Sequence, residues 1–252
     1  MTTLDNLLYV LLDKLSEQIE VYDNESYRLQ SRLTVHGLGI AEDIVACSNN
    51  RCAYISDRYS HDSIHRLALP NGASATIWPV NDKPACLSVT NTHNVLVTCR
   101  LVCKIKEFST DGKLLRQVQL PEGTASPSHS IQLSSGQFIV SHGDPNHSVH
   151  RVCLLSPGGQ VVQSFGGPRG TGRQQINCPR HLAVDSNGYV FVSDRHNHRV
   201  LLLSSSLLFV REVVSRDQLG VSLERLCFDK NKRLLYVALN ENRRGRVVVV
   251  TL

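Results

Sequence analysis

The sequence predicts an all-β chain, a six-bladed β-propeller of four-stranded antiparallel blades. Three observations predict it. A strand-like motif recurs six times, at Leu7–Leu12, Cys52–Arg58, Val95–Arg100, Phe138–His142, Val190–Arg195 and Arg233–Leu239. About ten residues beyond each lies a second match: Gln18-Ile19, Arg66-Leu67, Lys104-Ile105, Arg151-Val152, Arg199-Val200 and Arg246-Val247. The apolar members of these pairs are 48, 38, 47, 48 and 47 residues apart. Finally, strand-length apolar runs are separated by the turn dipeptides Asn71-Gly72, Asp111-Gly112, Gly158-Gly159 and Asn187-Gly188, the sequence mark of hairpins. Four short strands in a period of roughly 40–50 residues is the pattern of radial repetition, in which each sheet buries its faces only against its neighbours.

In chain order the expected blades are 1–35, 39–80, 83–120, 126–167, 176–215 and 221–252, in a single domain spanning 1–252. The first blade is the exception in pattern. Leu4, Leu7, Leu8, Leu11, Leu12, Leu15 and Ile19 are spaced as on an amphipathic helix. Register with five other units outweighs that spacing and predicts strands. Blade 1 then keeps at most a stub of an innermost strand at residues 1–4. Blade 5 is complete: His181–Asp185, Tyr189–Ser193, His198–Leu203 and Leu207–Val214 read as its four strands. Blade 6 stops at Leu252 after its third strand.

Composition narrows the function classes. With 41% apolar and 19% charged residues in 252, the chain is globular, and its 16 Gly and 9 Pro exclude a low-complexity chain. No apolar run approaches the roughly 18 residues of a membrane span. The start Met1-Thr2-Thr3-Leu4-Asp5 has no basic leader, so a cytoplasmic setting, no membrane partner and a monomer are expected. Eight Cys are too sparse for a disulfide scaffold. Cys99 and Cys103 form one pair without the second pair of a zinc site.

Cys178-Pro-Arg-His-Leu-Ala-Val-Asp-Ser-Asn-Gly-Tyr-Val-Phe-Val-Ser-Asp-Arg-His-Asn-His-Arg-Val200 resembles an NHL repeat. Its marks are the Pro before the first strand, Ala-Val-Asp-x-x-Gly, and Asn-His-Arg-Val. Upstream, Phe165–Arg173 resembles the glycine-rich stretch that often precedes such a repeat. Units 2, 4 and 6 keep fragments of the motif (Ile64–Leu67, Val149–Val152, Gly245–Val247), while units 1 and 3 match weakly. The resemblance implies a six-bladed propeller. It also implies a binding module for protein or single-stranded RNA, as in the tripartite-motif proteins with this domain. Similar folds serve a three-histidine lyase and calcium-holding lactonases.

Two arginine series follow. The Arg of the third strand (Arg66, Arg151, Arg199, Arg246, with Lys104) recurs in nearly every unit, as expected of a structural residue. Arg58, Arg100 and Arg195 occupy the end of strand two in units 2, 3 and 5 only. With His129 and Arg180 at the starts of innermost strands, and Arg169 and Arg173 upstream, they are the expected ligand-binding set. Guanidiniums gathered at a funnel suit a carboxylate, phosphate or acidic peptide. Solvated rim charge, or pairing with Glu42, Asp57 and Asp194, is the competing reading. Scarce aromatics argue against RNA stacking, for which the loops offer chiefly Tyr59, although histidines such as His36, His61, His142, His147, His196 and His198 are plentiful.

For a lyase-like metal, only His129 has the required placement. The equivalent positions hold Glu42, Ala85, Arg180 and Glu224. No metal, no cofactor and no catalytic residue is therefore expected. The chain reads as a non-catalytic scaffold that binds a protein or acidic peptide on one propeller face. Single-stranded RNA at the basic sector of blade 5 (Arg169, Arg173, Arg180, Arg195, Arg243, Arg244) is the alternative. A metal-dependent lyase or lactonase stands as the second alternative.

Overall fold

The structure, a computed structural model, describes residues 1–11, 17–58, 62–72, 75–241 and 244–252. The chain divides into two compact units, 1–117 and 118–252, each holding three sheets. In the first unit, sheet 1 contains β1 (Thr2–Leu4), β2 (Leu7–Leu11), β3 (Gln18–Asp23) and β4 (Leu29–Thr34). Sheet 2 contains β5 (Ala41–Cys47), β6 (Cys52–Asp57), β7 (Ser63–Ala68) and β8 (Ala75–Pro79). Sheet 3 contains β9 (Pro84–Val89), β10 (Val95–Cys99), β11 (Lys104–Phe108) and β12 (Leu114–Gln119), the last crossing the unit boundary.

In the second unit, sheet 4 contains β13 (Pro127–Gln132), β14 (Phe138–His142), β15 (Val149–Leu155) and β16 (Val161–Pro168). Sheet 5 contains β17 (Pro179–Val184), β18 (Val190–Asp194), β19 (Arg199–Leu203) and β20 (Phe209–Val214). Sheet 6 has three strands, β21 (Ser222–Asp229), β22 (Leu234–Glu241) and β23 (Arg244–Thr251). Every sheet is an antiparallel meander in chain order. The fold is all-β, and its six sheets are the blades of a β-propeller.

The helical leucine spacing near the N-terminus loses to strand pairing. Leu7–Leu11 is β2, paired with β1 on one side and β3 on the other, and the three-residue β1 is the inner stub. Leu12, Asp13 and Leu15 lie outside the described residues, as do Tyr59, His61 and Arg243. Helix is confined, among the described residues, to α1 (Arg216–Leu219) and a 3₁₀ turn at Arg195–Asn197. None is long and apolar enough to cross a membrane.

The second strands are buried on both faces, which explains their near-continuous apolar runs. In β6, Tyr54 faces a core with Trp78, Leu87 and Val97, while its neighbours Ala53 and Ile55 face one with Tyr9, Ile19 and Ile44. In β18, Val190 and Val192 join Ile139, Val152 and Leu201, while Phe191 joins Leu226, Leu235 and Val237. Each such side chain contributes roughly 1.5–3 kcal/mol on burial, so each of these blade interfaces is a core of its own.

One turn shows how tightly these cores meet the hairpin tips. Gly112 has φ +88°, and a Cβ there would lie 2.6 Å from the Trp78 ring. Gly112→Ala meets both the left-handed backbone penalty and a rigid indole. It is expected to cost about 2 kcal/mol or more, read as a lower urea midpoint with an unchanged slope.

Candidate functional site

Five innermost strands are irregular at the same place. The ladder slips between Ala41 and Asp43, between Pro127 and His129, between Pro179 and Leu182 and between Leu223 and Arg225, and β9 slips against Val97–Cys99. Each slip is a bulge near the second residue of the strand, and bulges re-aim the side chains that follow. This corrects the expected alignment. His129 lies opposite Ser141, Asp43 opposite Ser56 and Arg225 opposite Ala238. The equivalent of His129 in blade 5 is therefore His181, not Arg180, whose counterpart in blade 4 is Ser128. Two innermost strands of the second unit thus carry a histidine at this position, where the sequence reading allowed one.

Their chemistry is fixed by what they hold. The Leu182 N–H donates to His129 Nδ1 at 3.1 Å, and the Leu226 N–H donates to His181 Nδ1 at 3.4 Å. The two buried rings stack with centroids 3.9 Å apart. In the first unit Asp43 does the same work, its Oδ2 accepting the Leu87 N–H at 2.9 Å. In each case a side chain on one innermost strand captures a buried amide of the next blade. The second strand supplies a hydroxyl behind it: Ser56 Oγ accepts from the Asp43 N–H at 3.0 Å, and Ser193 Oγ accepts from the His181 N–H at 2.8 Å. An imidazole that accepts at Nδ1 is neutral, with its proton on Nε2.

The next tier is acidic in blades 2 and 5. Asp57 and Asp194 are fully buried. Asp57 Oδ2 accepts the Gly39 N–H at 2.9 Å, and Asp194 Oδ1 accepts the Asn177 N–H at 2.6 Å, so each carboxylate ties down the loop before its innermost strand. Asp194 Oδ2 also accepts from Asn197 Nδ2 and Arg199 Nε, both at 2.8 Å. Burial nonetheless raises its pKa above the usual carboxylate value, against the pull of these donors. Arg199 extends to the carbonyls of Gly172 at 3.1 Å and Gln175 at 2.9 Å, and Arg246 to that of Leu219 at 3.3 Å. The third-strand arginine is a backbone fastener in these two blades.

The expected ligand set is distributed as follows. In the first unit, Arg58 is buried with Nη1 3.9 Å from Glu42 Oε2, and Arg100 is half-buried in the turn after β10, its carbonyl facing Cys103 Sγ. In the second unit, Arg195 donates from Nη2 and Nε to Glu224 Oε1 at 2.8 and 3.2 Å, with Nη1 3.5 Å from His196. Arg180 is half-buried on β17, next to His181. Arg169 donates to the Pro145 carbonyl at 3.0 Å. The Arg173 guanidinium lies 5.0 Å from the centre of the Phe209 ring, on the outer strand β20. His129 and His181 are brought together, as are Arg195 and Glu224; Arg169 and Arg173 are each anchored elsewhere. Sequence reading missed His181 because only the bulge brings it into line.

Residues 177–201 match the NHL repeat family. They span the start of blade 5 through most of β19, the segment that holds Asp194, Asn197 and Arg199. The chain is a β-propeller that carries an NHL repeat in blade 5. No curated protein sequence matches it. Among solved structures it is similar to Kuenenia stuttgartiensis hydrazine synthase, with 12% identity over 98% of this chain and 94% of that one, at a TM-score of 0.69. A Bacteroides caccae protein of unknown function is similar at 16% identity and TM-score 0.72, over 97% and 89% of the two chains. A catalytically inactive Staphylococcus aureus virginiamycin B lyase with quinupristin is similar at 11% identity and TM-score 0.66, over 97% and 80%. At these identities the likeness shows a common fold alone.

The tier below the clasps has one more member, His142, at the place of Asp57 and Asp194. It is 2% exposed, and burial, then the charge of Arg151, push its pKa down to about 4. The unfolded chain takes up that proton near pH 6.5, the folded one only near 4. Stability is therefore complete above about pH 6.5 and falls as pH drops towards 4, by about 3 kcal/mol at most. His142→Gln is expected to flatten this slope in urea melts between pH 7 and 4.

The clasps give a second measurement. His181→Ala leaves the Leu226 N–H buried without its acceptor and is expected to cost about 1–3 kcal/mol. His181→Asn, whose Oδ1 falls near the lost Nδ1, is expected to recover most of that loss in the same denaturation assay.

Proposed function

We propose that this NHL-repeat propeller is a non-catalytic binding module whose C-terminal unit takes an acidic peptide or protein segment. The observation that carries the reading is the distribution of charge. Residues 118–252 contain 15 Lys and Arg against 9 Asp and Glu, whereas residues 1–117 contain 12 against 13. The whole positive excess belongs to one unit, and 13 of its 15 cations are Arg, the side chain suited to bidentate carboxylate contacts. The fixed tautomers of His129 and His181 support the non-catalytic half of the reading, because the innermost strands spend these titratable groups on backbone amides.

Single-stranded RNA is the second reading, favoured by the same arginine excess. Stacking surfaces weigh against it: the exposed aromatics among the described residues are Tyr27 and Tyr189, and only the latter belongs to the basic unit. The similarity to a lyase keeps a metal-dependent enzyme as the third reading. Its weakness is that the innermost-strand imidazoles of the second unit have their Nδ1 lone pairs committed.

The deciding experiment is a pull-down with and without nuclease, followed by a salt titration of whatever binds. A protein partner that survives nuclease supports the module, and a shallow salt slope marks an apolar contact. RNA would give a log–log slope near −0.7 per phosphate neutralised. Replacing Arg180 and Arg195 together by Ala is expected to weaken binding about tenfold or more. Stability should fall by less than about 1 kcal/mol, since the Arg195–Glu224 pair is partly solvated. Unchanged affinity in that variant would remove these arginines from the site.

A further inference from the structure

Blades 4 and 5 of the second unit use the same register to opposite ends. In blade 5, Asp194 at the end of β18 faces Arg199 on β19, and the two form an ion pair at 2.8 Å. In blade 4, the directly opposed pair at the same place is His142 on β14 and Arg151 on β15. Directly opposed residues share one face of the sheet, so blade 4 sets a buried imidazole against a guanidinium where blade 5 sets a carboxylate.

Neither partner compensates the other. His142 Nδ1 is buried with no hydrogen-bond partner. Arg151 is exposed, and among the described residues it makes no hydrogen bond or ion pair, while Arg199 has two carboxylates and two carbonyls. The remaining titratable groups nearby are already engaged. His150 accepts the Cys178 N–H at Nδ1 and stands 2.9 Å from the Asp144 carbonyl through Nε2, which fixes it as neutral. His147 Nδ1 lies 2.6 Å from Asp144 Oδ1, which also takes the Asn146 N–H. After burial, the charge that presses most on His142 is that of the Arg151 guanidinium. The residue after it is Gly143, so blade 4 lacks the arginine that follows the acid in blades 2 and 5.

The geometry points to a carboxylate-binding site at His142 and Arg151, where a Glu or Asp side chain of a bound peptide takes the place of the carboxylate that blade 4 lacks. This rests on the acidic-peptide reading above and adds a specific anchor to it. The ligand's carboxylate would accept from the Arg151 guanidinium, as Asp194 accepts from Arg199, with His142 beside it. Blade 5 satisfies its arginine in cis, and blade 4 leaves the same contact to be completed in trans.

The test uses the full chain and a fluorescein-labelled, end-capped hexaglutamate peptide, read by fluorescence anisotropy. Arg151→Ala, at an exposed residue without structural partners, is expected to weaken binding at least fivefold. His142→Asp supplies the missing acid internally. It is expected to weaken hexaglutamate at least as much and to raise the thermal midpoint, since the introduced carboxylate pairs with Arg151. Arg211→Ala removes an equal charge from the outer strand β20 and is expected to leave affinity within twofold. Equal weakening by Arg151→Ala and Arg211→Ala would reduce the effect to bulk charge and overturn the site. Unchanged binding in Arg151→Ala, with loss in the Arg180/Arg195 double variant, would overturn the site and leave the module reading standing. If the wild-type chain binds no hexaglutamate, or prefers a uridine hexanucleotide that Arg151→Ala does not affect, the acidic-peptide reading and its anchor fall together.

Discussion

A buried amide at the junction of two blades must find an acceptor, and most of what distinguishes this chain follows from that constraint. The bulge near the start of five innermost strands breaks the regular ladder and re-aims the side chains beyond it. Asp43, His129 and His181 then reach the neighbouring blade and accept an N–H that no strand partner serves. A lost acceptor there costs about 1–3 kcal/mol, as much as a core methyl or two. The apolar cores between blades are non-directional, whereas these bonds fix one blade's height against the next. The serine behind the acceptor, Ser56 or Ser193, holds the bulged backbone in place. Fold and candidate site therefore share the same few residues.

The blades themselves were legible because they depend on repetition. Six copies of a doubly buried second strand, five of them followed by a cation near the start of the third, survive drift in everything else. The same long-range register overrode the leucine spacing of the first blade, since β2 gains two paired neighbours that an isolated helix would lack. The innermost strands were less legible. A bulge has no residue signature of its own in a single sequence, and counting without it aligns His129 with Arg180 instead of His181. The ion pairs were half legible: Glu42 was a foreseeable partner for Arg58, but Glu224 reaches Arg195 from the next blade, 29 residues on, and no local pattern announces that.

The repeat is also unevenly elaborated. Blade 5, where the NHL match falls, ties its acid, amide and arginine into one network around Asp194, and that network holds the glycine-rich loop through the carbonyls of Gly172 and Gln175. Blade 4 keeps the arginine and replaces the acid, and blade 6 keeps neither the serine nor the acid, having Ala238 and Leu239 there. Departures from the repeat, more than its conserved frame, are where a propeller acquires individual chemistry. The likeness to a hydrazine synthase and to a virginiamycin B lyase shows only that the frame is common.

The histidine clasps also bear on how the second unit opens. Blades 4 and 5 are joined by two imidazole-held amides, those of Cys178 on His150 and Leu182 on His129, and blades 5 and 6 by that of Leu226 on His181. These amides have no place in a strand ladder, so their shielding from solvent depends wholly on the gap between blades staying shut. A partial separation would release the Cys178 and Leu182 protons together while leaving each sheet's own ladder intact. In hydrogen exchange the pair would behave as one opening unit, distinct from the strands on either side. The rate at which those protons trade with solvent would thus gauge the breathing of the single joint between blades 4 and 5.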